Sequence, residues 1–306
     1  MNWEKKGLIY CANGKYSWAQ KYAFPPNPMF LTDDVIRVYV AFCDANTVGR
    51  VGYVDVSAEN PSVVLNMSEK PVLDIGTPGT FDENGVVPVS IVKVEDKLYL
   101  YYVGFQKGYK VRYYMFIGLA ISDDFGQSFA RYRRVPILDR TDKELLNRAG
   151  AFVVHNSNLF RMWYVAGSTW VIGLDGKLLP EYNMRYLESA DGLNWGKEGK
   201  VCMNFGSEDE HGFGRPCIVQ EKELYKMFYS VRLKSKGYQL GYAESKDGLN
   251  WTRKDKEIGI TLSESGWDSE TMSYPSLVRY HDRVYMFYCG NNCGETGFGY
   301  AVLKEW

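Results

Sequence analysis

Apolar and aromatic positions along this chain alternate with polar ones at a period of two, in short runs separated by Gly, Asp, Asn and Pro. That is the pattern of half-buried strands joined by turns. The runs recur in sets. First strands are read at PMFL (28–31), PVSIV (88–92), AFVV (151–154), PCIV (216–219) and PSLV (275–278), with starts 60, 63, 65 and 59 residues apart. Each is followed by an aromatic strand: RVYVAF (37–42), LYLYYV (98–103), FRMWYV (160–165), LYKMFYS (224–230) and VYMFYC (284–289). Third strands follow at 51–57, 117–124, 184–192, 240–248 and 298–306, and fourth strands at KPVLD (70–74), RVPIL (133–137), GKVCM (199–203) and KEIGI (256–260).

Repetition at this period predicts an all-β fold: one five-bladed β-propeller over 1–306, of four-stranded antiparallel blades starting near 28, 88, 151, 216 and 275. The fifth set ends at Trp306 without a fourth strand. Residues 3–10, WEKKGLIY, repeat the Trp-plus-strand pattern of 251–260 and are expected to complete that blade. Such closure removes sheet edges that would otherwise recruit other chains. The one helical candidate is TDKELLNRAG (141–150), and it is short.

Two third strands run into the turns Ser189-Ala-Asp191-Gly192-Leu-Asn-Trp195 and Ser245-Lys-Asp247-Gly248-Leu-Asn-Trp251. Asp-Gly suits a tight hairpin because Gly supplies positive φ. A third version, Ser122-Asp-Asp124-Phe-Gly126, has the spacing of the Asp box of sialidases, a structural turn rather than a site.

Composition narrows the classes. The 306 residues include 24 Tyr, 15 Phe and 8 Trp, which favours pleated surfaces. A net charge of −1 leaves no basic footprint for nucleic acid. No apolar stretch has the length of a membrane span, and no signal peptide is read at the N-terminus. Of six cysteines, Cys289 and Cys293 are spaced C-x₃-C without a second pair or matching His. That speaks for a reduced, cytoplasmic protein and against a zinc site; no cofactor is called for.

In a propeller, loops converge where the inner strands begin, and a ligand is expected there. The converging loops carry Asn27, Asp82, Glu83, Glu144, Arg148, Glu210, His211, Arg215, Glu270 and Tyr274; the loops between second and third strands add Trp170, Arg232 and Asn291. Paired carboxyl groups can cleave a glycosidic bond, one protonating the leaving oxygen while the other attacks or activates water. Asp82, Glu83, Glu210 and Glu270 are the catalytic candidates, with Glu210 or Asp82 as acid and Glu83 or Glu270 as partner. Asn27, Arg148, His211, Arg215, Arg232, Tyr274, Trp170 and Asn291 are the substrate-binding candidates. Arginines that converge would mark an anionic sugar, because guanidinium forks match carboxylate and phosphate. The competing reading makes these acids and arginines struts between neighbouring blades.

With its five repeats of roughly sixty residues, the S-x-D-G-L-N-W turns and the final Tyr288-Cys-Gly-Asn-Asn…Gly297-Phe-Gly-Tyr300-Ala run, the whole chain resembles the five-bladed propeller glycosidases. These include arabinofuranosidases and xylosidases, invertase-like fructosidases and mannoside phosphorylases. The resemblance implies glycan chemistry by carboxylic acid–base catalysis, hydrolytic or phosphorolytic. Catalytic positions depart from the family pattern. An Asp precedes the first inner-strand Pro in arabinosidase- and invertase-like members, and here it is Asn27. A second family Asp opens the second blade, and here Val87 stands there. Glu144 and Glu210 lie only near the place of the family's acid. A glycosidase-like enzyme is the first reading; a non-catalytic carbohydrate-binding propeller and a protein-interaction scaffold are the alternatives.

Overall fold

A computed structural model describes residues 1–156 and 158–306. The chain is all-β. Its strands pair antiparallel in chain order, in runs. The first run is β2 (Lys21–Thr32), β3 (Val35–Cys43), β4 (Gly49–Ser57) and β5 (Val64–Met67). The second is β6 (Val86–Val94), β7 (Lys97–Lys107), β8 (Tyr113–Ser122) and β9 (Ala130–Arg131). The third is β10 (Asn147–Asn156), β11 (Leu159–Ile172), β12 (Leu178–Ser189) and β13 (Lys200–Met203). The fourth is β14 (Glu210–Glu221), β15 (Leu224–Leu233), β16 (Gly237–Ser245) and β17 (Thr252–Arg253). Last come β18 (Ser273–Tyr280), β19 (Arg283–Cys289) and β20 (Phe298–Glu305), and β1 (Asn2–Tyr10) pairs on the outer edge of β20, with Trp3 opposite Leu303 and Leu8 opposite Gly299.

Single parallel bridges, Asn147 to Met115 and Tyr182 to Gly212, join the three middle runs into one twelve-stranded sheet. Hydrogen bonding therefore gives sheets of four, twelve and four strands, and none closes on itself among the described residues. Side-chain packing completes the ring. First strands lie side by side in the order β2, β6, β10, β14, β18 and back to β2. The second strand of the first run is almost wholly buried over Ile36–Cys43, with β2 and β4 paired on its two edges. Among the described residues no helix is long and apolar enough to cross a membrane.

Three expectations are corrected. Residues 141–150 form no helix: Thr141 and Glu144 bridge across a turn, and β10 begins at Asn147. Glu144 is drawn inward by four polar partners described below, of which Tyr164 and Arg148 are themselves buried, and this outweighs its helical propensity. Fourth strands fall earlier than read, at 64–67, 130–131 and 252–253 in place of 70–74, 133–137 and 256–260. Pro71 and Pro136 lack the amide hydrogen that a ladder needs, and pairing after each is limited to an isolated bridge, at Leu73 and at Leu138. First strands also start earlier, with register shifts such as that between Pro88 and Ser90 that let the inner ends bend toward the axis.

The Asp-Gly turns have a further role. Asp191 accepts from the amides of Leu193 and Asn194, and Trp195 donates back to the Gly192 carbonyl. That carbonyl also accepts from Tyr101 of the preceding run (2.9 Å). Trp163 does the same to Gly248 (2.7 Å) and Tyr39 to Gly126 (3.1 Å), so three turns latch neighbouring runs together.

The third strands β8 and β16 carry Gly118 and Gly241 beneath the second-strand rings of Tyr102 and Tyr229. A Cβ at Gly118 would lie 2.4 Å from the Tyr102 ring and 2.7 Å from Phe81. Gly118→Ala is expected to cost about 1–3 kcal/mol by overpacking, measured as a lower urea midpoint at unchanged slope.

Candidate functional site

Four runs contain one device. An acid at or just ahead of the first strand reaches a base of another strand, and in three of the four it also accepts directly from a tyrosine of the second strand. Asp82 accepts from the Tyr102 hydroxyl (3.0 Å) and from Arg131 of β9 (2.7 Å). Glu144 accepts from Tyr164 (2.9 Å), Arg185 (3.0 Å) and the Gly199 amide, and is ion-paired with Arg148. Glu210 takes both arms of Arg253 of β17 (2.7 and 2.9 Å), and that arginine also binds Asp255, which accepts from Tyr229. Asp268 accepts from Tyr288 (2.9 Å) and from Lys5 of β1 (2.8 Å). Burial raises the Asp268 pKa, but hydrogen bonds from Lys5, Ser263 and Tyr288 outweigh that and hold the carboxyl below its ordinary value. The first run has Phe42 where the others have Tyr, and Trp18 packs on its ring edge-on instead.

A separate cavity of about 420 Å³ opens where the first strands begin. Its volume suits a sugar-sized ligand. Phe24 and Phe105 supply apolar faces, with the buried Phe213 behind them; Tyr182, Tyr238 and Tyr274 supply hydroxyls; Asn84 and Asn292 supply amides; Arg215 and Arg232 supply charge. Among the described residues no Asp or Glu lines it.

Arg232 donates to the Tyr182 hydroxyl (3.0 Å) and lies 5.4 Å from the Tyr238 ring centre. Arg215 is 2% exposed and donates to Asn27 Oδ1 (3.1 Å) and the carbonyls of Pro26 (2.9 Å) and Val89 (3.3 Å), while its Nε is buried without a partner. Burial pushes the phenols of Tyr113, Tyr238 and Tyr274 upward, so they enter the site as neutral groups. Burial also pushes the Cys43 thiol up to about 12 and the Cys293 thiol to about 11, which disarms both as nucleophiles. Among the described residues no cluster of three or more His, Cys, Asp or Glu is placed to hold a metal ion.

Backbone strain concentrates here. Among the described residues ten non-glycine residues have φ between 51° and 67°, and five of them, Tyr22, Thr47, Tyr274, Asn292 and Cys293, line the cavity. Tyr274 is held there by the hydrogen bond its backbone N–H donates to Ser230 Oγ (2.7 Å) and the one its hydroxyl donates to the Tyr238 hydroxyl (3.1 Å). Strain of this kind is retained where function requires a fixed geometry.

The residues singled out in the sequence therefore divide. Arg215, Arg232 and Tyr274 line the cavity, and Asn27 lies beneath it against Arg215. His211 stands behind Tyr182, ring centres 6.5 Å apart, with Nδ1 on the Pro180 carbonyl. Trp170 packs edge-on against the cavity residue Tyr113. Asn291 clasps the backbone amides of Glu270 and Thr271, which orders the mouth without entering the cavity. Arg148 is taken up by Glu144, and Asp82 and Glu210 by their arginines. Glu83 accepts from the Gly79 amide, and the exposed Glu270 carboxylate makes no hydrogen bond or ion pair among the described residues.

Tyr182 and Tyr238 were not singled out from the sequence. A signal for them exists: each lies three residues before the third-strand position held by Gly118, Arg185, Gly241 or Gly299, and the matching Met115 also lines the cavity.

Burial lowers the His211 pKa, and Arg232 and Lys234 lower it further against the Pro180 hydrogen bond. The folded chain thus keeps this ring neutral where the unfolded chain, near 6.5, takes up a proton. Stability from His211 is full above about pH 6.5 and is lost as pH falls below it. Melting temperature measured from pH 8 to 5 should fall, and more steeply than in His211→Gln.

No family model matches the chain. It is similar along its whole length to two uncharacterized proteins of Mycobacterium tuberculosis, MT1551 (32% identical) and Rv1502 (31% identical), each covered completely. Among solved structures it is similar to BT0996 in an RGII complex (TM-score 0.73, 18% identical, covering 98% of this protein and 90% of that one). It is also similar to a thermostable family-43 glycoside hydrolase (TM-score 0.65, 15% identical, 94% and 90%). A third is the Bombyx mori GH32 beta-fructofuranosidase BmSUC1 (TM-score 0.65, 15% identical, 97% and 61%).

Proposed function

Since the chain belongs to one family with the two mycobacterial proteins and has the all-β, propeller-like fold of glycoside hydrolases, we propose that it is a glycosidase-like enzyme that cleaves a glycan end held in the central cavity. The proposal takes the chain as a single five-bladed propeller. The ring of first strands supports this. So does Lys5, which on β1 fills the role that Arg131 and Arg253 fill on fourth strands.

The cavity carries the functional reading. Aromatic faces can stack on a sugar ring while amides and phenols meet its hydroxyls, and strained backbone fixes both. Asp82 and Glu210 are committed to ion pairs, so proton transfer falls to the carboxylates at the mouth. Glu83 adjoins Asn84, and Glu270 is held by Asn291 beside Asn292; Asn84 and Asn292 line the cavity. One would protonate the leaving oxygen and the other activate water or phosphate. Six free cysteines agree with a reducing, cytoplasmic setting.

A turnover screen on oligosaccharides from bacterial surface glycans, with and without phosphate, tests the proposal. Release of a reducing sugar or a sugar phosphate is expected. The absence of lining carboxylates among the described residues favours a second reading, a carbohydrate-binding propeller without catalysis. Saturable sugar binding with no release on any substrate would establish that second reading.

A further inference from the structure

We infer that the central cavity selects a sugar bearing an anionic oxygen group, carboxylate or phosphate, with Arg232 as its anchor; this rests on the cavity being the glycan site. Two arginines line one 420 Å³ space, and no carboxylate among the described residues lines it or pairs with either. Elsewhere in this chain buried arginines are matched: Arg37 forks onto Asp55 (2.8 and 2.9 Å), and Arg148 pairs with Glu144. The contrast is therefore local to the cavity.

Arg215 is the more unusual of the two. It is wholly enclosed, its cation is met only by Asn27 and backbone carbonyls, and its Nε has no partner. A buried charge without a counter-charge is costly, and a ligand anion that supplies one recovers part of that cost. Its guanidinium is turned toward Asn27 and the carbonyls beneath the floor, so it acts as a fixed positive field and not as the direct contact.

Arg232 is the contact. One arm is oriented by the Tyr182 hydroxyl, and its other guanidinium nitrogens make no hydrogen bond among the described residues. They line the cavity with Tyr182 and Tyr238 beside them, and both phenols can donate to the same anion. The other ionisable groups facing it include Tyr113, Tyr274, Cys293 and His211, which carry no negative charge at neutral pH. An oxyanion there meets a two-pronged donor in a low-dielectric wall, where charge-assisted hydrogen bonds are strongest.

Calorimetry at fixed ionic strength with glucose, glucuronate, glucose 6-phosphate and inorganic phosphate tests the inference. Wild type should bind one of the two anionic sugars at least about tenfold more tightly than glucose, and the preferred one names the group. Arg232→Met should abolish that preference, and Arg232→Lys, which keeps charge but not the fork, should restore part of it. The comparison of ligands on wild type needs no variant, so a misfolded Arg232→Met leaves the test intact. Glucose binding as tightly as both charged sugars would overturn the inference while leaving the glycan reading standing. Inorganic phosphate binding as tightly as glucose 6-phosphate would overturn it by showing that the sugar contributes nothing to the preference, and the turnover screen would then decide the glycan reading by itself.

Discussion

Glu144→Gln is expected to lower the free energy of unfolding by about 3–5 kcal/mol, the range for removing one partner of a buried ion pair. Glu144 is fully buried, and Arg148 is 2% exposed. Glutamine keeps the shape and can still accept from Tyr164, so the loss isolates charge. What remains is a guanidinium enclosed in protein with no anion beside it. Urea unfolding at constant slope measures the change. Adding Arg148→Met should recover part of the loss, because the stranded cation goes too. An unchanged midpoint would mean that water reaches the pair and that the four acid–tyrosine–base devices are not struts.

The second large effect concerns turnover. Glu83→Gln and Glu270→Gln should each reduce kcat by about 10²–10⁴-fold, the usual contribution of a positioned acid or base, with the melting temperature unchanged. Asp82→Asn and Glu210→Gln should behave in the opposite way, losing stability first and activity only as folded protein is lost. Equal kcat in all four folded variants would remove carboxylate catalysis from this chain and leave the phenol-lined cavity as a binding site.

Much of the fold was legible because strands announce themselves locally. The two-residue period and the recurring aromatic strand located β3, β7, β11, β15 and β19, and Trp3 with its following strand foretold the pairing of β1 with β20. Fourth strands were misplaced because 70–74 and 133–137 have the apolar pattern but contain Pro71 and Pro136. The acids were harder. Asp82 and Glu210 stand beside the loops that form the cavity, and only their partners, 49 and 43 residues away, separate a strut from a catalyst. A trace of this is nevertheless written in the chain. Asp82, Glu144, Asp209 and Asp268 each precede a second-strand tyrosine by 20 residues, all but Asp209 are bonded to it, and the run that has Phe42 in place of that tyrosine has no acid there. Cavity tyrosines escaped notice because a phenol in a strand-rich sequence reads as packing, and which face it takes depends on register that the bulged inner strands alter.

Sugar binding in the cavity between the first strands underlies every functional step proposed for this protein. A crystal structure of the protein soaked with the sugar it binds best in solution would test this most directly. The sugar ring is expected against Phe24 and Tyr274, with its anionic group on Arg232. Sugar bound at any other place, or an empty cavity at concentrations that saturate binding in solution, would contradict it.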